Sequence, residues 1–325
     1  MHATHPFDRL QPDLILDAVE GLGFRADGRL LALNSFENRV YQVGLEDAPP
    51  LIAKFYRPGR WSDEAILEEH GFTMELADAE LPAVPPLTIQ GRTLHRHEGF
   101  RLALFPRRGG RLIEIDDAEH RRWVGRLLGR LHAIGSIRRF AHRPVLSVQE
   151  FGEDAAAFIL GSGLLPSHVE AAYASLSRDL LQAIGEVMAG IAPATLRLHG
   201  DCHAGNILWT DAGPHFVDFD DARQGPAIQD LWMLLAGARE EQERQLAEVL
   251  EGYQQFRPFD HTELALIEPL RTLRLMHYEA WVARRWDDPA FPPAFPWFAS
   301  PRHWEDHILA LREQLALLHE PPLAP

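Results

Sequence analysis

The chain has 325 residues, 46% of them hydrophobic, a single cysteine, and a formal charge of −15 from 47 acidic and 32 basic side chains. That length suits one large domain or two moderate ones with a buried core, and the lone Cys202 excludes a disulfide framework. The acidic balance argues against nucleic-acid binding, which works through a basic face, and no apolar run approaches the roughly 20 residues that span a bilayer.

The N-terminal stretch MHATHPFDRLQPD lacks a basic region followed by an apolar run. No secretory signal is expected, and the protein reads as soluble and cytoplasmic. Pro12 to Leu22 predicts a helix, with Leu14, Leu16, Val19 and Leu22 near helical spacing, broken by Gly23 and then Asp27-Gly28. Three β-rich stretches follow, Leu30–Leu33, Arg39–Val43 and Leu51–Tyr56, separated by Asn34–Asn38 and the polar turn Glu46–Pro50. Connections this short force antiparallel pairing, because a parallel crossover needs about a dozen residues or more. Ser62 predicts the N-cap of a helix running to about Ala79, with Asp63 and Glu64 favouring its first turn. Leu87–Ile89 and Phe100–Phe105 complete a small sheet. Beyond Pro106 and Gly109-Gly110 the pattern turns helical, over Ala118–Ile134, Ser167–Gly190, Ile228–Phe256 and Glu263–Trp286. One β-rich island interrupts it at Leu196–Val217. The Pro-rich pieces Asp288–Pro301 and Pro321–Pro325 read as irregular surface structure. The fold class is α+β, with residues 1–106 a small antiparallel sheet plus one main helix and residues 107–325 mainly helical.

The island carries the chemistry. Residues 198–209 read Leu-His-Gly-Asp-Cys-His-Ala-Gly-Asn-Ile-Leu-Trp, and after a turn at Asp211–Pro214 comes His-Phe-Val-Asp-Phe-Asp-Asp. Asp201 and Asn206 are five positions apart on a loop with Gly200 and Gly205, and a hairpin would return Asp218 beside that loop. Phosphoryl transfer needs this set: one carboxylate accepts the proton of an attacking hydroxyl, while an amide oxygen and a second carboxylate hold Mg²⁺, a hard cation that bridges phosphates. Asp201 fits the base, and Asn206 and Asp218 fit the metal ligands. A zinc reading of His199, Cys202 and His203 lacks a second Cys/His cluster, and the two glycines oppose the helix that would align the histidines. His199 is better read as a hydrogen-bonding residue that shapes the loop, and Cys202 as a buried filler.

An acidic chain that holds a triphosphate must gather positive charge locally. No G-x-G-x-x-G loop lies between the first strands; Gly21-x-Gly23 precedes them and reads as a helix stop. The candidate phosphate loop is Asn34–Asn38, whose backbone N–H groups and Ser35 hydroxyl can approach phosphate, with a plain hairpin turn as the alternative. Lys54 sits centrally in Leu51-Ile-Ala-Lys-Phe-Tyr56, where an ammonium must snorkel or find an anion such as ATP phosphate; an edge-strand charge is the alternative. Glu69, with Phe72 and Leu76 at i+3 and i+7, starts the inward face of the following helix and is favoured over Glu68 as the partner of Lys54. Arg107 and Arg108 read as solvated.

Further motifs are Leu33-Asn-Ser-Phe-Glu-Asn-Arg-Val-Tyr41, Arg197 to Trp209, Asp220-Asp221-Ala222-Arg223, Gln229-Asp230-Leu231-Trp232-Met233, and Arg285-Trp286 with Asp288-Pro289-Ala290-Phe291-Pro292. In these residues the chain resembles the aminoglycoside phosphotransferase and choline kinase superfamily and, more closely, the bacterial stress response kinase A family. The resemblance implies a bilobal protein-kinase-like fold and an ATP-dependent serine/threonine protein kinase of the bacterial cytoplasm, active in stress responses. It also implies Asp201 as proton acceptor, Asn206 and Asp218 as magnesium ligands, Ser35 at the ATP phosphates, and Asp230 as the aspartate that pins the catalytic loop. An ordinary helix-start carboxylate is the alternative for Asp230.

The departures matter. Gly200 stands where many protein kinases have Arg, and Asp220 stands where they have Gly. Few residues separate Asp220 from the helix at Ile228, so switching by activation-loop phosphorylation is not expected. On the acceptor side, the helix Leu264–Trp286 carries Arg271, Arg274, Arg284 and Arg285 beside Tyr278, Trp281 and Trp286. It reads either as the lining of an acceptor groove or as a core aromatic stripe with a solvated basic edge. The acidic surface equally suits a basic partner. The expected acceptor is a Ser/Thr-bearing protein or a small hydroxyl compound such as an amino-alcohol, sugar or antibiotic. Mg²⁺ and ATP as co-substrate are expected, without nucleic acid or membrane, in a monomer. A non-catalytic nucleotide-binding regulator is the third reading, opposed by the presence of every catalytic group.

Overall fold

The short connections give the antiparallel strands they demand. In the computed structural model, which describes residues 5–325, the chain runs α1 (Pro12–Glu20), β1 (Ala26–Ala32), β2 (Arg39–Leu45), β3 (Leu51–Phe55) and α2 (Asp63–Asp78). β4 (His95–His97), β5 (Phe100–Pro106) and β6 (Arg111–Leu112) follow. Residues 1–4, the start of the stretch read for a secretory signal, lie outside the described residues. Then come α3 (Ala118–Gly135), α4 (Asp154–Gly161), α5 (Ser167–Ile191), β7 (Leu196–Leu198), β8 (Ile207–Thr210), β9 (Gly213–Phe216) and β10 (Arg223–Gly225). The chain ends with α6 (Ile228–Trp232), α7 (Arg239–Tyr253), α8 (Ile267–Ala283), α9 (Phe291–Ala294) and α10 (Pro301–Leu317). Two compact units emerge. One takes the described residues through Asp116 with Phe140–Arg143 and His203–Ala222; the other takes Asp117–Arg139, Pro144–Cys202 and Arg223–Pro325. The division by contacts thus places the 203–222 hairpin with the N-terminal sheet, whereas composition alone divides the chain near residue 106.

In the first unit, five strands pair antiparallel in the order β1-β2-β3-β5-β4. Strand alternation sorts β3: Leu51, Ala53 and Phe55 enter a core with Phe7, Ile15, Val19, Phe100, Leu102 and Leu104, while Ile52 and Lys54 point to the opposite face. Lys54 stands opposite Val40 on β2 and Ala103 on β5, so it belongs to a central strand rather than an edge. α2 starts as its sequence dictates, with the Ser62 hydroxyl accepting from Ala65 N at 3.2 Å and Asp63 and Glu64 in the first turn. The expected strand at Leu87–Ile89 does not form. Leu87 N donates to Leu104 O, but Ile89 only bridges Arg92, and β4 supplies the edge instead. A second small sheet, β6-β8-β9, contains the predicted hairpin.

In the second unit α3 lies against α7 at close range. A Cβ on Gly125 would stand 2.1 Å from Val249 O, and one on Gly129 2.5 Å from Tyr253 O, so both positions require glycine. The single helix expected over Ile228–Phe256 is two. α6 stops at Trp232, Gly237 takes φ +87° in the connection to α7, and Gln245 Oε1 accepts from Ala236 N to hold that turn. Likewise Glu263–Trp286 opens with a 3₁₀ stretch, His261–Leu266, capped by Asp260, before α8. The segment Asp288–Pro301 is not irregular surface: Phe291 and Phe298 are fully buried, Phe291 against Trp281 and Phe298 against Trp286 and Trp304. Among the described residues no helix is long and apolar enough to cross a membrane.

Candidate active site

Ser35, Lys54, Glu69, Asn206 and Asp218 line one cavity of about 430 Å³ in the first unit. Its apolar wall includes Leu33, Val40, Ile52, Phe105, Leu208 and Val217. Asn206 arrives on a 3₁₀ turn, Ala204–Asn206, begun by His203, whose Nδ1 accepts from Gly205 N at 2.9 Å. The hairpin register pairs Ile207 with Phe216, and Val217 N donates to Asn206 O at 3.1 Å. That bond sets Asn206 beside the strand end leading to Asp218. Asp218 takes a left-handed conformation, φ 58°, which Asp tolerates better than most residues. An amide oxygen and a carboxylate are donors that a hard cation accepts when phosphate and water complete its shell. Among the described residues no group of three or more His, Cys, Asp or Glu side chains gathers as a metal cluster. The donor set therefore suits a cation shared with a phosphate ligand rather than a protein-only cage.

Lys54 is where the structure departs most from the sequence reading. Its ammonium pairs with Asp218 at 3.0 Å and Asp220 at 3.1 Å, and the expected ion pair with Glu69 does not form. Burial opposes the Lys54 charge, but the two aspartates outweigh it and hold its pKa well above the ordinary value. Asp220 is also clamped by the Arg60 guanidinium, and its carbonyl accepts from Arg143 Nη1 at 2.7 Å. Glu69 instead lies 3.7 Å from Arg143, while both Glu68 carboxylate oxygens cap the backbone N–H groups of Ala141, His142 and Arg143. The Asn34–Asn38 loop is tied to the exit of β3. Arg57 donates to Glu37 O and Phe36 O, its own N–H bonds Asn38 Oδ1, and Arg60 reaches Glu37 at 3.6 Å. Arg107 donates to Gln42 Oε1 in solvent, as a solvated residue can, whereas exposed Arg108 stands on the cavity lining.

Burial is the largest influence on Glu69 and raises its pKa to about 7; Lys54 and Arg143 pull the other way without prevailing. A carboxyl raised above its unfolded value near 4.5 contributes stability that is full below that value and is lost as pH climbs through the folded one. Stability should thus fall across pH 4.5–7 by about 1.4 kcal/mol per unit from this group. Glu69→Gln, which mimics the protonated form, should gain on the wild type over that window. Urea unfolding at pH 5, 6 and 7 checks it, and a constant difference between the two proteins would refute the assignment.

In the second unit Asp230 holds the loop that carries Asp201. Its Oδ2 accepts from His199 N at 2.8 Å and its Oδ1 from Gly200 N at 2.9 Å. His132 Nε2 donates to Oδ2 at 3.1 Å, and the other ring nitrogen lies 3.0 Å from the Tyr253 hydroxyl. Asp230 is therefore a fully buried anchor rather than an ordinary helix-start carboxylate. Gly200 sits at φ +86°, a conformation that the Arg of many kinases would adopt only with strain. His199 Nδ1 accepts from Asp201 N at 3.3 Å, and burial keeps the Cys202 thiol protonated well beyond its usual range. Asp201 forms an ion pair at 2.7 Å with Arg274 of α8.

The five-stranded antiparallel sheet, the helical regions and these loops define an aminoglycoside-phosphotransferase-like fold of α+β class. The sequence profile of the phosphotransferase enzyme family matches residues 29–267. Stress response kinase A of Salmonella choleraesuis (strain SC-B67) is 49% identical over 317 residues, covering 98% of this chain and 96% of that protein. The serine/threonine protein kinase RdoA of Salmonella typhimurium is 48% identical over 317 residues, covering 98% and 96%, and stress response kinase A of Escherichia coli (strain K12) is 46% identical over 328, covering 99% and 98%. The chain belongs to the phosphotransferase enzyme family and, within it, to the stress response kinase A family. It is an ATP-dependent kinase by that membership. Among solved structures, an amicoumacin kinase in complex with AMP-PNP, Ca²⁺ and Ami superimposes with a TM-score of 0.71 at 18% identity, covering 94% of this chain and 93% of that one. A microcompartment-associated aminopropanol kinase gives 0.70 at 16%, covering 95% and 96%. At such identities the likeness is one of fold.

Proposed function

We propose that the protein transfers the γ-phosphoryl group of Mg-ATP to a serine or threonine hydroxyl of a protein in a bacterial stress response. The observation that carries this is that Lys54, Ser35, Asn206 and Asp218 line one cavity together with the apolar side chains of its wall. That wall suits a flat base, and the polar end suits phosphates. Magnesium, when bound, neutralises charge on the transferred group. Lys54 holds phosphate oxygens, Ser35 and its loop N–H groups approach them, and Asn206 and Asp218 supply the metal's protein oxygens. Asp201 accepts the proton of the acceptor hydroxyl, and Asp230 fixes the loop bearing it. Residues 1–106 serve mainly the nucleotide phosphates, and 107–325 the acceptor and the metal-binding loop. The names of the curated relatives support a protein acceptor.

Purified protein with Mg-ATP should label Ser- and Thr-containing protein substrates but not aminoglycosides or choline. Labelling confined to a small molecule would replace the protein-kinase reading with a small-molecule one. Replacing Mg²⁺ by EDTA should abolish transfer in either case.

A further inference from the structure

We propose that Arg274 is a specificity-determining residue that covers the base Asp201 until a negatively charged group beside the acceptor hydroxyl draws it away. The inference deepens the proposed function and rests on it, since it names which Ser/Thr segments are taken: those flanked by Asp or Glu.

The pair itself supplies the first argument. Arg274 Nη1 lies 2.7 Å from Asp201 Oδ1, with the Asp201 side chain 23% exposed and the Arg274 side chain 38%. A carboxylate oxygen held by a guanidinium is a poor proton acceptor on that oxygen, so the contact competes with the base's task. Partly exposed pairs of this kind are weak, and an incoming carboxylate can exchange for Asp201 at little cost. Guanidinium groups also favour carboxylates by geometry, which makes the exchange selective.

The neighbouring arginines supply the second. Arg271 is engaged by Glu268 and Gln242, Arg284 by Asp154 O and the Phe158 ring, and Arg285 by Trp281 O and its ring. Of these four arginines it is Arg274 that pairs with the base. One turn further along α8, exposed Tyr278 stacks on Trp281 at 5.9 Å and 24°, a flat wall against which a peptide can lie beside Arg274. The chain's formal charge of −15 disfavours acidic segments elsewhere, so discrimination falls on this one guanidinium.

The test uses three peptides identical except for the residues flanking one serine: Asp, Gln or Lys. The wild type should show kcat/KM roughly tenfold higher for the Asp peptide than for the Gln peptide, with the Lys peptide lowest. Arg274→Gln should bring the three values together, while Arg274→Lys should keep the order. Nucleotide affinity within about twofold of wild type certifies a folded variant. Equal wild-type values for the three peptides, or an Asp preference that survives in Arg274→Gln, would overturn the proposal while leaving the protein-kinase reading intact. Failure to phosphorylate any peptide, with turnover of a small molecule, would overturn both.

Discussion

Asp201→Asn should lower kcat by roughly 10²- to 10⁴-fold, the usual worth of a positioned general base, while nucleotide affinity stays within about twofold. The substitution keeps the side chain's volume, removes its ability to take the acceptor's proton and gives up the charge that pairs with Arg274. The backbone of the loop has holds of its own: Asp230 accepts from His199 N and Gly200 N, and His132 holds Asp230. The groups proposed for phosphate and metal, Lys54, Ser35, Asn206 and Asp218, line a cavity to which Asp201 does not contribute. Isothermal titration with an ATP analogue and steady-state labelling separate the two effects. A rate within tenfold of wild type would remove Asp201 from the role of base. Parallel loss of binding would instead mean that the substitution reshaped the nucleotide cavity.

Much of this site is written in local sequence, and the parts that are not share a cause. Strand alternation around Lys54, the Ser62 cap and the hairpin that returns Val217 to Asn206 are short-range patterns, and each forms as its residues dictate. Periodicity also shows that Glu69 faces inward. It cannot say which anion an inward lysine meets, because Asp218 lies 164 positions further along the chain than Lys54. The same holds for Glu68, whose carboxylate serves backbone more than 70 residues away, and for Arg274 at Asp201. The apolar spacing through Leu231, Leu234 and Leu235 runs on past Trp232, where α6 ends, so periodicity does not show the break before α7. α10 could have been found: Ser300 accepts from His303 N, Pro301 occupies the first turn, and Trp304, Ile308 and Leu311 recur at helical spacing.

The Asp-Phe-Asp sequence then acquires a physical reason for its last aspartate. Asp220 is 5% exposed and sits between Lys54, 8% exposed, and Arg60, 14% exposed. Its removal leaves two buried cations with too little compensation, so Asp220→Ala should destabilise by about 3–5 kcal/mol, the cost of breaking a buried pair from one side. Asp220→Asn keeps the volume and an acceptor oxygen and should lose somewhat less, and in both variants Asp218 is the carboxylate left in an ion pair with Lys54. Nucleotide affinity should fall as well, because an ammonium anchored only by a proposed metal ligand competes with the metal for it. The pH dependence gives an independent check. Burial disfavours ionised Asp220, but Lys54 and Arg60 outweigh it and hold the pKa well below the ordinary 3.8. A depressed carboxyl contributes stability that is present above the unfolded pKa and lost as pH falls through the folded one. The contribution of Asp220's own titration to the stability gap between wild type and Asp220→Asn should therefore be the same at pH 7 and pH 5, and shrink only below about pH 4. A gap that changed between pH 7 and pH 5 would assign that part of the effect to other groups: Glu69 and Glu263 are buried carboxyls raised to about 7, and Glu69 is the first to examine because Asp220 acts on it.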